Sequence, residues 1–475
     1  MGYGSLRACV EDVRKLGELV VLDDEVDSYL EVAEIQRRVY RSGGPAVLLT
    51  RVRGTAFPVL LNLFGTTRRA HYLFRDVWPA LRAAFAAKAD PTSVLTRPSA
   101  LPGLARVATA ALPMRVRTGP VREATSELRR LPQVTSWPAD GGPFITLPLV
   151  YSEHPDSPGW MGSNLGMYRV QLAGNAYGPS EVGLHYQLHR GIGVHHRAAI
   201  ARHEPLRVNV FVGGPPAFTL AAILPLPEGL PEVAFAGALN GRRMRLIAEP
   251  GRPHVFADAD FVLEGYVLPG ETKPEGPFGD HLGYYARQHD FPVLHVERVT
   301  HRRDAIWPYT CVGRPPQEDT TFGSLIHELT GPAIGSVVAG VRQVHAVDAA
   351  GVHPLLLAVG SERYRPYAKL DRPMEVLTQA CAILGTGQLS LAKYLFIAAE
   401  DDDRTLDARD VEAFLRHVLE RFDPREDVRF LTNTSIDTLD YSGDAWQRGS
   451  KVIVAGVGSK KRPLGTTVPG DLCLP

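Results

Sequence analysis

Residues Asn164 to Gly191 read NLGMYRVQLAGNAYGPSEVGLHYQLHRG, and the reading of this stretch decides the fold of the middle of the chain. At a period of two, Met167, Arg169 and Gln171 share one face, and Tyr168, Val170 and Leu172 share the other. After a loop rich in Gly, Asn and Pro the alternation returns, with Leu184, Tyr186 and Leu188 opposing His185, Gln187 and His189. The spacing therefore predicts two strands of a long hairpin with one apolar, inward face. Should the two polar faces coincide, Arg169, His185, His189 and two glutamines converge. The same pattern suits an antiparallel sheet whose polar face meets water, and the downstream sequence tilts the reading toward convergence.

Downstream, Leu263 to Tyr285 reads LEGYVLPGETKPEGPFGDHLGYY and sets Glu275 and Asp280 five residues apart among Pro274, Gly276, Pro277 and Gly279. Such a segment is expected to be a loop, neither helix nor central strand. Two carboxylates on a stiff, glycine-bracketed loop suit a site where one of them transfers a proton. Pro, Gly and acids are also the ordinary residues of a solvated turn. An arginine beside the pair would depress one pKa while the like charge raised the other, separating an acid from an ion. Glu232 follows Pro231, so a helix starting there would carry the carboxylate in its first turn, where the helix dipole favours an anion.

Toward the N-terminus, Ser5 is a candidate cap for a helix with Leu6, Cys9, Val10, Val13 and Leu16 inward, closed by Gly17. Glu18 to Leu22 reads as a strand, Glu31 to Arg41 as a helix, and Ala46 to Leu49 and Pro58 to Phe64 as buried strands, which together make an α/β unit. Residues 87–134, dense in Pro, Ala and Arg, read as a boundary with short helices. From Pro148 to about Val299 the chain favours strands, Gly and Pro, as an antiparallel or barrel-like domain does. Toward the C-terminus, Tyr394 to Ala399, the amphipathic run Val411 to Phe422 and Val428 to Leu431 predict a βαβ unit. The acid run Glu400 to Asp403 ends its first strand, where it forms a solvated loop or a ligand site.

Composition sets outer bounds. With 475 residues, 44% hydrophobic and 22% charged, the chain is an ordinary globular sequence of roughly three domains. The 52 basic and 52 acidic residues cancel, which leaves no net field to draw nucleic acid. The four cysteines are scattered without CxxC spacing, so neither a disulfide framework nor a zinc ribbon is predicted. No apolar run approaches the roughly 20 residues that span a bilayer, the N-terminus has no apolar signal core, and a cytoplasmic location is expected.

The combination of NLGMYRVQL, HYQLHRG, PEVAFAG and LEGYVLPGETKPEGPFGDHLGYY resembles the UbiD family of decarboxylases, which use a prenylated FMN. The N-terminal LGELVVLDDEVDSYLEVAEI, SGGPAVLL and PVLLNLFGT and the later GRPPQED resemble the same family. The likeness runs from the first helix to about Gly449, and the final segment matches only loosely.

The resemblance implies an α+β multidomain fold: an N-terminal α/β domain (1–125), a central split β-barrel of the FMN-binding kind carrying cofactor and catalysis (126–310), and a C-terminal α/β domain for self-association (311–475). It implies a divalent metal, usually manganese, held by Asn164, His189 and Glu232, with potassium nearby. His185 is an alternative to His189, since both face the same way on a strand. Arg169, Glu275 and Asp280 match the family's catalytic residues: the arginine binds the substrate carboxylate, Glu275 pairs with it, and Asp280 donates a proton. Met167, Tyr168, Arg169, His185, Tyr186, Gln187, Arg190 and Gly191 match cofactor-lining stretches, and Lys393 is a candidate contact to the cofactor phosphate. The implied activity is reversible, non-oxidative decarboxylation of an aromatic, heteroaromatic or α,β-unsaturated carboxylic acid through a covalent adduct with the flavin. GDH at Gly279 to His281 looks more like the aromatic-acid members. Implied partners are the small acid substrate, a flavin prenyltransferase that supplies the cofactor, and further copies of the chain as a dimer or hexamer. The competing readings are an FMN-dependent oxidoreductase and a non-catalytic flavin- or metal-binding subunit.

Overall fold

The computed structural model describes residues 2–89, 92, 98–186, 191–224, 226, 230–351, 353–363, 372–443, 445 and 447–465. The chain divides into two compact units, Met1–Ala87 with Pro91–Ile326, and Lys88–Asp90 with His327–Pro475. Among the described residues no helix is long and apolar enough to cross a membrane.

The first unit opens as its sequence suggests. Ser5 Oγ accepts the Ala8 N–H at 3.1 Å, capping helix Leu6–Lys15, which buries Leu6, Cys9, Val10 and Val13. Such a cap contributes about 1 kcal/mol. Strand Leu19–Val26, longer than expected, lies parallel to Ala46–Val52, which pairs antiparallel with Val59–Leu61. The fourth strand, Trp307–Tyr309, returns from far along the chain to lie parallel to Val59–Leu61. The boundary segment holds short helices, as read from its sequence, and also supplies strands: Met114–Val116 beside Arg245–Ile247, and Ala124–Ser126 beside His289–His301.

The middle of the unit is a nine-stranded antiparallel sheet. Its order runs Phe144–Ile145, Val170–Gln171, Glu181–Leu184, His289–His301, Phe261–Glu275, Leu206–Val212, Pro148–Glu153, Ser163–Gly166, with Ala124–Ser126 on the flank of His289–His301. Gly166 and Val170 are only four residues apart, at most about 14 Å of chain. Yet their strands stand six spacings apart in the sheet order, roughly 29 Å if the sheet were flat. The sheet therefore curls back on itself. Among the described residues no strand pairing closes it into a barrel.

This curl corrects the long hairpin expected for 164–191. Ser163–Gly166 pairs with Pro148–Glu153, Val170–Gln171 pairs with Phe144–Ile145 and Glu181–Leu184, and residues 167–169 cross the gap between. The returning strand ends at Leu184, and His185 and Tyr186 carry no regular structure. Residues 187–190 lie outside the described residues, and helix Gly191–Ala201 follows. A second correction concerns Glu275, which is the last residue of strand Phe261–Glu275 and not part of a loop. Among the described residues, that strand pairs beyond Val267 only with His289–His301. With one neighbour, it tolerates Pro274, which has no N–H to donate.

The second unit is a five-stranded sheet ordered Gln343–Ala346, Leu355–Gly360, Tyr394–Ala399, Arg448–Gly456, Val428–Ser435. The three inner strands are parallel and the edges antiparallel. Alternate residues face opposite ways: Leu356 and Ala358 pack with Val376, Ala380 and Ile383 of helix Glu375–Leu384. Leu357 and Val359 pack with Phe414 and Val418 of helix Val411–Arg421. The expected βαβ unit is corrected in one respect. The parallel neighbour of Tyr394–Ala399 is Arg448–Gly456, while the segment from Val428 forms the antiparallel edge. The inner strand buries Ile453, Val454 and Ala455, whereas the edge strand is mostly exposed.

Candidate active site

Arg169 sits where the chain crosses between the two ends of the curled sheet, and two carboxylates meet it there. Its Nε and Nη2 donate to Glu275 Oε1 and Oε2, both at 2.8 Å, and its Nη1 donates to Asp280 Oδ2 at 2.6 Å. The Arg169, Glu275 and Asp280 side chains are 9%, 0% and 6% exposed, so this is a buried charge cluster. A planar fork between two carboxylates is something arginine does and lysine cannot. The guanidinium also lies 4.7 Å from the Phe278 ring centroid.

The surroundings hold both acids in place. Glu275 ends its strand, and Gly276 follows at φ 86°, a left-handed backbone that favours glycine. The Gly276 N–H donates to Gln171 Oε1 at 2.9 Å, and Gln171 Nε2 donates to the carbonyls of Gly141 and Ala173. Asp140 accepts the N–H groups of Ser136, Trp137 and Gly279, which fixes the residue before Asp280. A Cβ on Gly279 would stand 2.0 Å from Trp137 Cδ1, so only glycine fits.

Electrostatically the cluster differs from the sequence expectation of one acid and one ion. Burial alone would raise Glu275, but the Arg169 charge and hydrogen bonds outweigh it and bring it down to about 2. Burial also opposes ionisation of Asp280, yet the adjoining His281, together with Arg169, holds its carboxyl well below the usual carboxylate range. Both are ions because Arg169 bonds to both and Asp280 has His281 besides. Burial, with the Arg169 charge, pushes His185 below the usual histidine value. Its Nδ1 lies 3.3 Å from Glu275 Oε2 and its ring 4.0 Å from that of Phe291.

A second group gathers around strand Ser163–Gly166. Asn164 is buried there, and Glu232 opens helix Glu232–Asn240, its Oε2 accepting the Leu165 N–H at 3.2 Å. The first-turn placement read from Pro231 and Glu232 is the one found. A Cβ on Gly191 would lie 2.0 Å from Asn164 Oδ1, so the start of helix Gly191–Ala201 abuts the same amide. Desolvation raises the Glu232 carboxyl, and among the described residues no lysine or arginine pairs with it. A partly buried carboxylate without a cationic partner, beside a buried amide oxygen, suits a hard divalent cation.

The remaining candidates fall out as follows. His189, Gln187 and Arg190 lie outside the described residues. His185 belongs with Glu275 and Arg169. Tyr168 Oη lies 3.4 Å from Asn164 Nδ2, the Met167 N–H donates to the Ala222 carbonyl, and Tyr186 Oη bonds His196 Nδ1. Lys393 is in the second unit, where it bonds Ser442 Oγ and lies 3.0 Å from Asp440 Oδ2. Sequence reasoning does not single out Asp140. Its role in fixing Gly279 rests on a contact 139 residues away, and nothing local signals it.

Three sequence models of one family cover most of the chain. The 3-octaprenyl-4-hydroxybenzoate carboxy-lyase N-terminal domain matches residues 10–88, the Rift-related domain 113–315 and the C-terminal domain 320–456. A Chlamydia pneumoniae protein, named as one subunit of a 4-hydroxybenzoate decarboxylase, is 41% identical over 470 residues, covering 97% of this chain and 76% of its own. An uncharacterized Chlamydia muridarum protein is 39% identical over 484 residues, covering 98% of this chain and 79% of its own. Among solved structures, the vanillic acid decarboxylase of Sedimentibacter hydroxybenzoicus in closed form superposes with a TM-score of 0.80 at 22% identity, covering 100% of this chain and 96% of that one. The UbiD-class enzyme HmfF of Pelotomaculum thermopropionicum, in complex with FMN, gives 0.72 at 22% identity, covering 98% and 96%. At such identities the structural likeness establishes the fold.

Proposed function

Because the chain belongs to the UbiD family of carboxy-lyases, we propose that it is a prenylated-FMN-dependent decarboxylase of an aromatic carboxylic acid, with heteroaromatic and α,β-unsaturated acids as the wider class. The observation that carries the reading is the buried constellation of Arg169, Glu275 and Asp280. The FMN named with HmfF and the hydroxybenzoate and vanillate activities named for two relatives support the flavin and the aromatic substrate.

Bound prenylated FMN supplies an electron sink for the pair left behind as carbon dioxide departs. The protein's own residues do the rest. Arg169, held in one plane by two carboxylates, presents a fixed positive charge that orients the substrate carboxylate. Glu275 holds that guanidinium. As the carbon–carboxylate bond breaks, its electron pair stays on the ring or alkene carbon, and a proton delivered by Asp280 completes the new C–H bond. Run backward, the same steps carboxylate.

Asn164 and Glu232 would hold the manganese, with His189 as the imidazole ligand. The engagement of His185 with Glu275 supports His189 for that place. Potassium is the companion ion, and Met167, Tyr168, Tyr186, Gln187, Arg190 and Gly191 line the flavin. Lys393 is the proposed contact to the cofactor phosphate. The curled sheet supports reading the middle of the chain as a split barrel, within three domains at 1–125, 126–310 and 311–475. That one relative is named as a subunit supports work in an assembly, and a dimer or hexamer of this chain is part of the proposal. The protein is read as cytoplasmic and supplied by a flavin prenyltransferase.

The test is to produce the chain together with a flavin prenyltransferase and record its absorbance and the mass of the released cofactor. Prenylated FMN with carbon dioxide release supports the proposal. Plain FMN with hydride transfer would make it an oxidoreductase, and flavin without turnover of any acid a binding subunit.

A further inference from the structure

A proton donor must hold a proton, and Asp280 as built into this site does not. Its Oδ2 takes Arg169 Nη1 at 2.6 Å. Its Oδ1 takes the His281 N–H at 2.7 Å and lies 2.6 Å from His281 Nδ1. Both oxygens thus accept charge-assisted or backbone hydrogen bonds, and such a carboxylate is stabilised as the ion. Of the two side chains bonded to it, arginine does not give up a proton in a protein. Imidazole does so near neutral pH.

We infer that His281 is the proton store for the reaction: its Nδ1 proton passes to Asp280 Oδ1, and Asp280 passes a proton to the substrate carbon. This rests on the decarboxylase reading above and deepens it. The balance is simple. The His281 N–H bond breaks as the Asp280 O–H bond forms, and that bond breaks as the C–H bond forms. The electron pair for the new C–H bond is the one left by carbon dioxide. His281 ends neutral and Asp280 ionised, and water at bulk pH recharges the imidazole. His281 acts through Asp280 and is a positioning residue, not one that touches substrate.

The couple is well fixed. Asp280 and Gly283 form a tight turn through the Gly283 N–H and the Asp280 carbonyl at 3.0 Å, and the Asp280 N–H donates to the Tyr284 carbonyl. Within the first unit, charged and titratable groups around it include Arg169 and Glu275 on the Oδ2 side, and Asp140 behind the Gly279 amide. Arg314 lies against Gly283, and His185 lies beyond Glu275. The His281 side chain is 16% exposed.

The test compares the unmodified protein with His281→Asn, which keeps an N–H donor where Nδ1 stood but cannot titrate, and with Asp280→Asn. In flavin-free protein labelled with ring-15N histidine, the His281 imidazole N–H is expected as a strongly deshielded resonance, absent in His281→Asn and shifted upfield in Asp280→Asn. In the loaded enzyme, kcat should fall as rising pH empties the store. His281→Asn should lower kcat roughly tenfold or more and flatten that limb, with KM and flavin content within about twofold. His281→Gln, which moves the donor off Asp280, serves if His281→Asn loses its fold. The inference is overturned if His281→Asn keeps the unmodified alkaline limb and kcat, or if the deshielded resonance survives in Asp280→Asn. Should the unmodified loaded protein release no carbon dioxide, the decarboxylase reading fails, and the resonance alone then decides whether the proton couple exists.

Discussion

Arg169 and Glu275 meet fork to fork, Nε to Oε1 and Nη2 to Oε2 at 2.8 Å each, with the carboxylate wholly buried. Removing one partner of such a pair leaves a buried charge uncompensated. Arg169→Ala is therefore expected to cost about 3–5 kcal/mol of stability, and Arg169→Lys less, since it keeps the charge and loses the fork. Glu275 titrates at about 2 in the folded protein, below its ordinary value near 4.5. Its stabilising contribution is thus present above about pH 4.5 and lost as the pH falls toward 2. Urea unfolding at pH 7 and pH 3 checks this: the gap between the unmodified protein and Arg169→Ala should narrow at the lower pH.

The Asn164 and Glu232 pair makes a prediction about metal content. Glu232→Gln should lose manganese and, with it, flavin, because a phosphate held through an ion leaves with the ion. Gly191→Ala is the sharper variant, since its Cβ would fall 2.0 Å from Asn164 Oδ1 and displace that proposed ligand without removing it. Metal analysis by mass spectrometry on purified protein should show loss in both. Stoichiometric manganese in Glu232→Gln would remove Glu232 from the ligand set.

Glu318 gives a pH dependence of the opposite sign. It is fully buried, accepting the Phe64 N–H at 2.6 Å and the Gln36 Nε2 at 3.0 Å, and desolvation pushes it up to about 7. The folded state then binds the proton more tightly than the unfolded chain, so stability falls as pH rises from about 4.5 to about 7 and is level above. The size is on the order of 3 kcal/mol. Glu318→Gln should remove that slope, since an amide has no titratable proton. Thermal midpoints measured every half unit from pH 5 to pH 8 read the difference directly.

Much of the fold was legible because it rests on local signals. The Ser5 cap, the helix Glu31–Arg41, the inner strand Tyr394–Ala399 of the second unit and the helix opening at Glu232 follow from capping residues and apolar spacing. What escaped depends on distant pairing. Residues 164–191 alternate as a hairpin would, but Ser163–Gly166 and Val170–Gln171 pair at opposite ends of a curled sheet, and no local period encodes that. Pro274 argued for a loop at Glu275, yet among the described residues the strand has a single neighbour beyond Val267, which lets proline stay in it. The identities of Arg169, Glu275 and Asp280, and the pairing of Glu275 with Arg169, came from motif resemblance, while the bond from Arg169 to Asp280 and the ionisation of both acids came only with the geometry.

The central claim is that Asp280 delivers the proton that replaces carbon dioxide, and deuterium incorporation tests it most directly. Protein loaded with prenylated FMN is incubated in deuterated buffer with a panel of aromatic acids. Carbon dioxide release and deuterium at the vacated carbon are then followed for the unmodified chain and for Asp280→Asn, which keeps shape and cannot carry the proton. The account predicts turnover with one deuterium per product for the unmodified chain. For Asp280→Asn it predicts normal flavin content with exchange and release slower by roughly 100-fold or more. Exchange in Asp280→Asn as fast as in the unmodified protein would contradict it and move the proton to another group, Glu275 first.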